Sequence, residues 1–157
     1  MAANTAPIYS LTSDLQVGGT YNSTTIIGPT ANTATDGTGS AMYQVFGANA
    51  TNGGFVQKII FKAVASPAAT VIRLWYCNAT GAFSANTSNT AATTSMIAEL
   101  TTAAWTASNT LASPQYEIPV NIALPAISGG AKILASFGTS TGSAGNGFTT
   151  LAVAGSY

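Results

Sequence analysis

The sequence predicts an all-β protein, an antiparallel β-sandwich of about eight strands with the jelly roll as the expected topology. Thr, Val, Ile, Tyr and Phe are plentiful whereas Glu, Lys and Arg are scarce, and this balance favours strands over helices. Turn-forming Gly and Pro residues number 16 and 6 of 157, and they separate short segments that alternate apolar and polar side chains. Strands at roughly ten-residue spacing, several with one polar face, are typical of two packed sheets.

The chain divides into residues 1–20, an N-terminal arm or first strand, and residues 21–157, a single β-sandwich domain. The arm is made of small and polar residues around one apolar group, Ile8, Tyr9 and Leu11. Such a segment rarely orders by itself, so we expect it to add the first strand or to lie across a neighbouring subunit.

The first strands of the domain are bounded by turn signals. A short β-branched run at 24–27 ends at Gly28-Pro29, and Asp36-Gly37 indicates a tight turn. A loosely alternating strand at 41–46 is followed by a glycine turn at 52–54. The next strand, 55–64, is predicted to be half-buried because apolar residues share one parity and the two lysines the other. The apolar parity comprises Phe55, Ile59, Phe61 and Ala63, and the polar parity Lys58 and Lys62.

The segment 70–77 is almost continuously apolar, with Arg73 as the exception. A strand covered on both faces has this pattern. It is followed at 78–94 by a long stretch of Ala, Thr, Asn and Ser that only Phe83 interrupts. Loops of this length without structure of their own are usually functional or lie against a partner.

Four further strands are predicted at 96–101, 115–124, 132–139 and 148–154. The strand 115–124 alternates most strictly, with its odd positions polar or proline and its even positions apolar. We expect Tyr116, Ile118, Val120, Ile122 and Leu124 to face the core. Because Pro119 cannot donate a hydrogen bond within a sheet, it indicates an edge strand or a bulge.

Charge is the most unusual property of the composition. Charged residues make up 5% of the chain, there is no histidine, and the formal net charge is zero, whereas an ordinary soluble domain is about a quarter charged. A net charge near zero promotes association, so the chain is expected to be covered by neighbours. No basic face is available for nucleic acid. No apolar run of about 18 residues indicates a membrane span, and no signal-peptide pattern is seen, so synthesis in the cytoplasm is expected.

Catalytic chemistry has few candidates, and no enzyme or cofactor is predicted. A Ser-His-Asp triad needs a histidine, and Cys77 lies in an apolar strand where a buried, inert thiol is the expectation. Glu99 and Glu117 could flank a glycosidic bond as a carboxylate pair. Both fall on the polar parity of their strands, however, so we expect charges that face solvent.

Metal and ligand sites are also sparsely supported. Asp14 and Asp36 occur singly, without the several carboxylates that a calcium loop supplies, so no metal site is predicted. Trp75 and Tyr76 lie in a core-like strand. Trp105 follows in a polar stretch and is the one candidate for an exposed aromatic platform that could bind a sugar.

Several segments resemble a known family. They are GANATNGG at 47–54, VQKIIFK at 56–62, ATVIRLWYCN at 69–78, YEIPVNIALPA at 116–126 and VAGSY at 153–157. Together they resemble the small head decoration (cement) proteins of tailed bacteriophages. The resemblance covers roughly residues 40–157 and implies a jelly-roll or β-sandwich domain, often a trimer, that binds the outside of the assembled capsid.

The expected function is therefore that of a structural virion protein, located at the capsid surface, whose partners are the major capsid protein and copies of itself in a homotrimer. The alternative is a phage tail or fibre protein or a carbohydrate-binding β-sandwich module. The charged residues fall on the polar sides of clearly alternating strands, so they are expected on the outer faces of the sandwich. The neutral arm and the 78–94 loop are therefore the expected contact surfaces. The candidate assembly contacts are Ile8, Tyr9, Leu11, Phe83 and Trp105.

Overall fold

The computed structural model of the chain describes residues 12–17 and 26–156, and the side chains of residues 26–155. These residues form eight strands and no helix. The strands are β1 (Thr12–Val17), β2 (Tyr43–Gly47), β3 (Gly54–Val64), β4 (Thr70–Cys77), β5 (Thr94–Thr102), β6 (Gln115–Leu124), β7 (Lys132–Phe137) and β8 (Gly147–Ser156).

The strands form two four-stranded sheets. Sheet A has the order β1-β8-β3-β6 and sheet B the order β2-β7-β4-β5, and all neighbouring strands are antiparallel. The chain crosses between the sheets at every connection except that between β4 and β5. This is the strand order of a jelly roll, so the predicted fold class and the expected strand number are confirmed.

The main core lies between the two sheets and is lined by the inward residues of both. Phe137 in β7 and Phe148 in β8 stack across the interface, with ring centroids 5.7 Å apart and planes 5° apart. Phe61 and Tyr116 add edge-to-face contacts with Phe148. Aromatic pairs contribute beyond the area that they bury, so these four rings help to fix the position of one sheet on the other.

Sheet B is buried on both sides along its two central strands. All six residues of β7 are buried, and β4 buries Ile72 and Leu74 in the main core while Trp75 and Cys77 lie in a second apolar cluster on the opposite side. The prediction that 70–77 is covered on both faces is thus confirmed.

The alternation predicted for β3 is wrong at the start of the strand. Val56 is fully buried whereas Phe55 is only half-buried, because a bulge shifts the register between Val56 and Lys58. The inward positions are Ala152 and Ala154 in β8, Val56 and Ile59 in β3, and Ile118 and Ile122 in β6. Between the same two rows of inward residues, β8 therefore advances by two residues, β3 by three and β6 by four. Bulged, strongly twisted sheets have such unequal spacings.

The predictions for β6 are confirmed. Its even-numbered residues pack on the main core, and it is an edge strand of sheet A in which Pro119 lies at the register shift. Asn121 beside it has a positive φ of 50°, a conformation that asparagine tolerates better than most residues. Pro119 thus occupies both of the settings in which a strand accepts proline.

The N-terminal part agrees with its prediction in one respect and differs from it in another. Residues 12–17 form the first strand of sheet A and pair with β8, one of the two outcomes expected for the arm. The run at 24–27 is not a strand where it is described, because Ile27 makes only an isolated bridge to Phe148. Ile8, Tyr9 and Leu11 lie outside the described residues.

Candidate interaction surfaces

Residues 78–94, here called the neutral layer, fold back over the outer side of sheet B. Ala79, Phe83 and Ala85 pack against the second apolar cluster, which is formed by Met42, Trp75, Cys77 and Leu134. Phe83 is thereby half-buried within its own chain. The long loop thus covers the outer side of sheet B, and its own outward side is available for contact with a partner.

Hydrogen bonds fix the neutral layer to the rest of the molecule. The buried Asn89 donates from Nδ2 to the carbonyl oxygens of Gly37 at 3.0 Å and Gly39 at 2.8 Å. Within the layer, the Ser88 hydroxyl accepts from the amide of Ser84 at 3.0 Å. Thr93 Oγ1 donates to the Ser88 carbonyl at 2.7 Å. A segment held in this way loses little conformational freedom when it binds a partner.

The outward side of the neutral layer is uncharged and made of amides, hydroxyls and methyl groups. Its exposed residues are Asn78, Thr80, Ala82, Ser84, Asn86, Thr87, Thr90, Ala91 and Ala92. Covering such groups costs less desolvation free energy than covering ions. The layer is therefore chemically suited to a broad protein–protein contact.

Two ion pairs occupy the outward sides of the sheets. Lys58 Nζ lies 2.6 Å from Glu117 Oε2 in sheet A, and Arg73 Nε lies 2.8 Å from Glu99 Oε1 in sheet B. The hydrogen bond from Lys58 lowers the pKa of Glu117 below its ordinary value. Arg73 also donates to the Asn32 carbonyl at 3.2 Å, so it ties the 31–40 segment to β4.

The other charged side chains of residues 26–155 are also engaged within the chain. Lys62 Nζ donates to the Ser113 carbonyl at 2.7 Å. Asp36 accepts from the Thr38 hydroxyl at 2.6 Å and the Thr38 amide at 3.0 Å, and these bonds lower its pKa. The predicted turn at Asp36-Gly37 is present, with Gly37 at a φ of 86°. Asp36 thus serves local turn geometry.

Glu99 and Glu117 are not brought together. They lie on edge strands of different sheets, each bonded to a cation on the same sheet. Two sheets pack about 10 Å apart, and these residues point away from that interface. The paired-carboxylate arrangement that the sequence offered is therefore not formed. In the described part of the chain no three His, Cys, Asp or Glu side chains group as metal ligands do.

Lys132 is a buried charged residue of the described chain that the sequence did not single out. Its side chain is 1% exposed, and its Nζ donates to the carbonyl oxygens of Gly130 at 2.6 Å and Ala79 at 2.9 Å. Burial lowers the pKa of Lys132. The available signal was its place two residues after Gly130, at the start of a largely apolar strand.

The remaining candidates are packing residues. Cys77 is fully buried and donates from Sγ to the Ser88 carbonyl at 3.7 Å, and Trp75 donates from Nε1 to Ser136 Oγ at 2.9 Å. Trp105 is half-buried against the main core, and its amide donates to the Pro67 carbonyl at 3.0 Å. Trp105, the candidate sugar platform, thus uses part of its side chain for packing and leaves part of it accessible.

No protein-family model, curated protein or solved structure matches the chain. Among the residues that are described, none lies in a helix that could cross a membrane.

Proposed function

We propose that this protein is a capsid decoration (cement) protein that binds the outside of a phage head as a homotrimer and stabilises the shell. The observation that carries the proposal is the disposition of charge. Every charged side chain of residues 26–155 bonds within its own chain, and a broad uncharged layer remains. The segments that resemble head decoration proteins, and the jelly-roll strand order, support the same reading.

The proposed mechanism is mass action on the assembled lattice. A protein that binds the assembled shell, and not its separate subunits, shifts the equilibrium towards assembly. Symmetry repeats the same contact many times, so a weak individual contact is sufficient. A surface without free charges suits this role because few ions have to be desolvated.

The neutral layer is the surface that we assign to the major capsid protein. It is uncharged from residue 78 to residue 94, and it is held by Asn89 and Ser88. Its exposed threonine, asparagine and alanine side chains offer hydrogen bonds and methyl contacts together. A flat, neutral region of a capsid subunit is the complementary partner.

The test mixes the purified protein with empty heads of the phage that carries its gene and measures co-sedimentation. The wild-type protein is expected to sediment with the heads, and the bound amount should reach a plateau as the protein concentration rises. Thr87→Asp places an unpaired carboxylate in the neutral layer, which should weaken binding about tenfold because that charge must be desolvated. Thr87 is exposed and its side chain faces solvent, so folding should be unaffected.

Ala144→Asp is the matched control, because it adds the same charge to an exposed residue of the loop between β7 and β8. It should bind as the wild type does. Wild-type protein that remains in the supernatant at every concentration would rule out the proposed function. Equal weakening by both variants would place the contact elsewhere than in the neutral layer.

A further inference from the structure

A recess of about 240 Å³ lies at one end of sheet B, where β4 leads into the neutral layer. Tyr76 and Ser95 are directly opposite each other on β4 and β5, so their side chains lie on the same side of the sheet. Asn78 and the neutral-layer residues Ala91 and Ala92 also line the recess. The lining thus brings together residues that carry a phenol ring, an amide, a hydroxyl and methyl groups.

The polar side chains of the recess are not used for bonds within the chain. Among the described residues, the Tyr76 hydroxyl, the Ser95 hydroxyl and the Asn78 side-chain amide have no hydrogen-bond partner. Asn78 is bonded through its backbone amide, which donates to the Thr93 carbonyl at 3.0 Å. Burial raises the pKa of Tyr76, so at neutral pH its hydroxyl keeps its proton and can both donate and accept. These three side chains can therefore bond to a ligand.

A larger recess of about 360 Å³ lies at the opposite end of β4 and β5 and is less suited to a ligand. Most of its polar side chains already bond within the chain. Thr70 Oγ1 donates to the Thr139 carbonyl at 2.9 Å, and Arg73 bonds to both Glu99 and Asn32. The smaller recess is therefore the better candidate for a binding site.

We propose that the smaller recess binds one ring of a neutral sugar. No charged residue lines it, so an ionic ligand would lose hydration there without gaining a partner of opposite charge. The hydroxyl groups of a sugar donate and accept hydrogen bonds, as do the phenol, serine and amide groups of the lining. Its C–H groups can pack on the ring of Tyr76, which is apolar except at its hydroxyl. The volume suits a single ring, since it lies below the range for drug-sized ligands.

This inference does not rest on capsid binding, and its test uses the protein without heads. Saturation-transfer NMR measures the binding of the methyl glycosides of glucose, galactose and mannose. At least one of them should bind the wild-type protein saturably. Tyr76→Phe and Asn78→Ala should each raise its dissociation constant about tenfold, because each removes a hydrogen bond to the sugar. Both variants should fold, since Tyr76→Phe keeps the ring and Asn78 is exposed.

Asn109→Ala is the matched control, because it removes an exposed amide from the loop between β5 and β6, beyond the end of β5 that is remote from the recess. It should bind the sugar as the wild type does. Circular dichroism checks that each variant is folded, and two separate recess variants keep the test informative if one of them unfolds.

Two further ligands sharpen the result. A methyl glycoside that binds as tightly as the free hexose indicates the end of a glycan chain, and a preference for the free hexose indicates a free sugar. Methyl glucuronide, which carries a carboxylate, should bind no more tightly than the neutral glycosides. The inference would be overturned by wild-type protein that binds none of the neutral sugars, by folded variants of Tyr76 and Asn78 with wild-type affinity, or by tighter binding of the glucuronide.

Discussion

Lys132 shows how a single residue in this protein departs from ordinary burial rules. Lysine is almost never fully buried without a partner charge, and here the ammonium group is held only by carbonyl oxygens among the described residues. The bond to Ala79 joins β7 to the start of the neutral layer. The residue thus connects the sheet to the proposed contact surface at the expense of desolvating a charge.

The buried lysine gives a pH-dependent prediction. Its pKa in the folded protein lies below the ordinary 10.5, so between the two values the unfolded chain binds more protons than the folded chain. The free energy of unfolding should therefore rise with pH in that window. Lys132→Met removes this contribution, so wild-type stability minus variant stability should increase as the pH rises towards 10.5.

Urea unfolding of both proteins at a series of pH values measures that difference. Tyr76, whose pKa is raised by burial, titrates in both proteins and therefore cancels in the comparison. A difference in unfolding free energy that stays constant with pH, or that falls, would contradict the assignment of a depressed pKa to Lys132.

The Trp75–Ser136 hydrogen bond gives a second residue-scale prediction. Both side chains are buried, and the indole N–H has its partner in the Ser136 hydroxyl. Ser136→Ala should lower the free energy of unfolding by about 1–3 kcal/mol, because the donor is left buried without an acceptor. Ser95→Ala, at an exposed position of β5, should change it by less than about 0.5 kcal/mol, and equal effects would contradict this account.

At the scale of elements, the buried Asn89 is the side chain that bonds the neutral layer to the segment containing Gly37 and Gly39. Asn89→Ala removes the bonds to Gly37 and Gly39 together with the acceptor of the Asn86 amide. We expect a loss of about 2 kcal/mol in stability and faster proteolytic cleavage within 78–94. Asn78→Ala, at an exposed position of the same layer, is the control, and equal cleavage rates in both variants would show that Asn89 does not hold the layer.

Strands that alternate strictly were predictable, and those that depend on distant neighbours were less so. Strand β6 was predicted correctly because its apolar and polar residues alternate, which distinguishes its inward face from its outward face. In β3 the two polar residues Gln57 and Lys58 separate Val56 from Ile59, and this interruption of the period was the available signal of the bulge. It was missed because the register of β6 and β8 decides which parity continues.

The packing of the neutral layer on sheet B could not be predicted from its composition. Its Ala, Thr, Asn and Ser residues gave no period, so only Phe83 hinted at packing. The structure shows that Phe83 and two alanines cover an apolar patch of Trp75 and Leu134. In the sequence that patch was indicated only by the almost continuously apolar segment 70–77. Trp105 is a separate case, because it packs on the main core, whose residues come from distant parts of the chain.

At the scale of the whole molecule, the jelly roll gives its two sheets outward surfaces of different character. The outward side of sheet B is covered by the neutral layer, whereas the outward side of sheet A carries the Lys58–Glu117 ion pair. In the proposed function the neutral layer meets the shell, because it is the surface without charges.

The stability of empty heads tests the central proposal most directly. Heads would be heated with increasing amounts of the protein, and the midpoint of their disruption measured by light scattering. The account predicts that the midpoint rises with protein concentration, since binding to the assembled state alone stabilises it by mass action. A midpoint that stays unchanged at concentrations where the protein saturates the heads would contradict it.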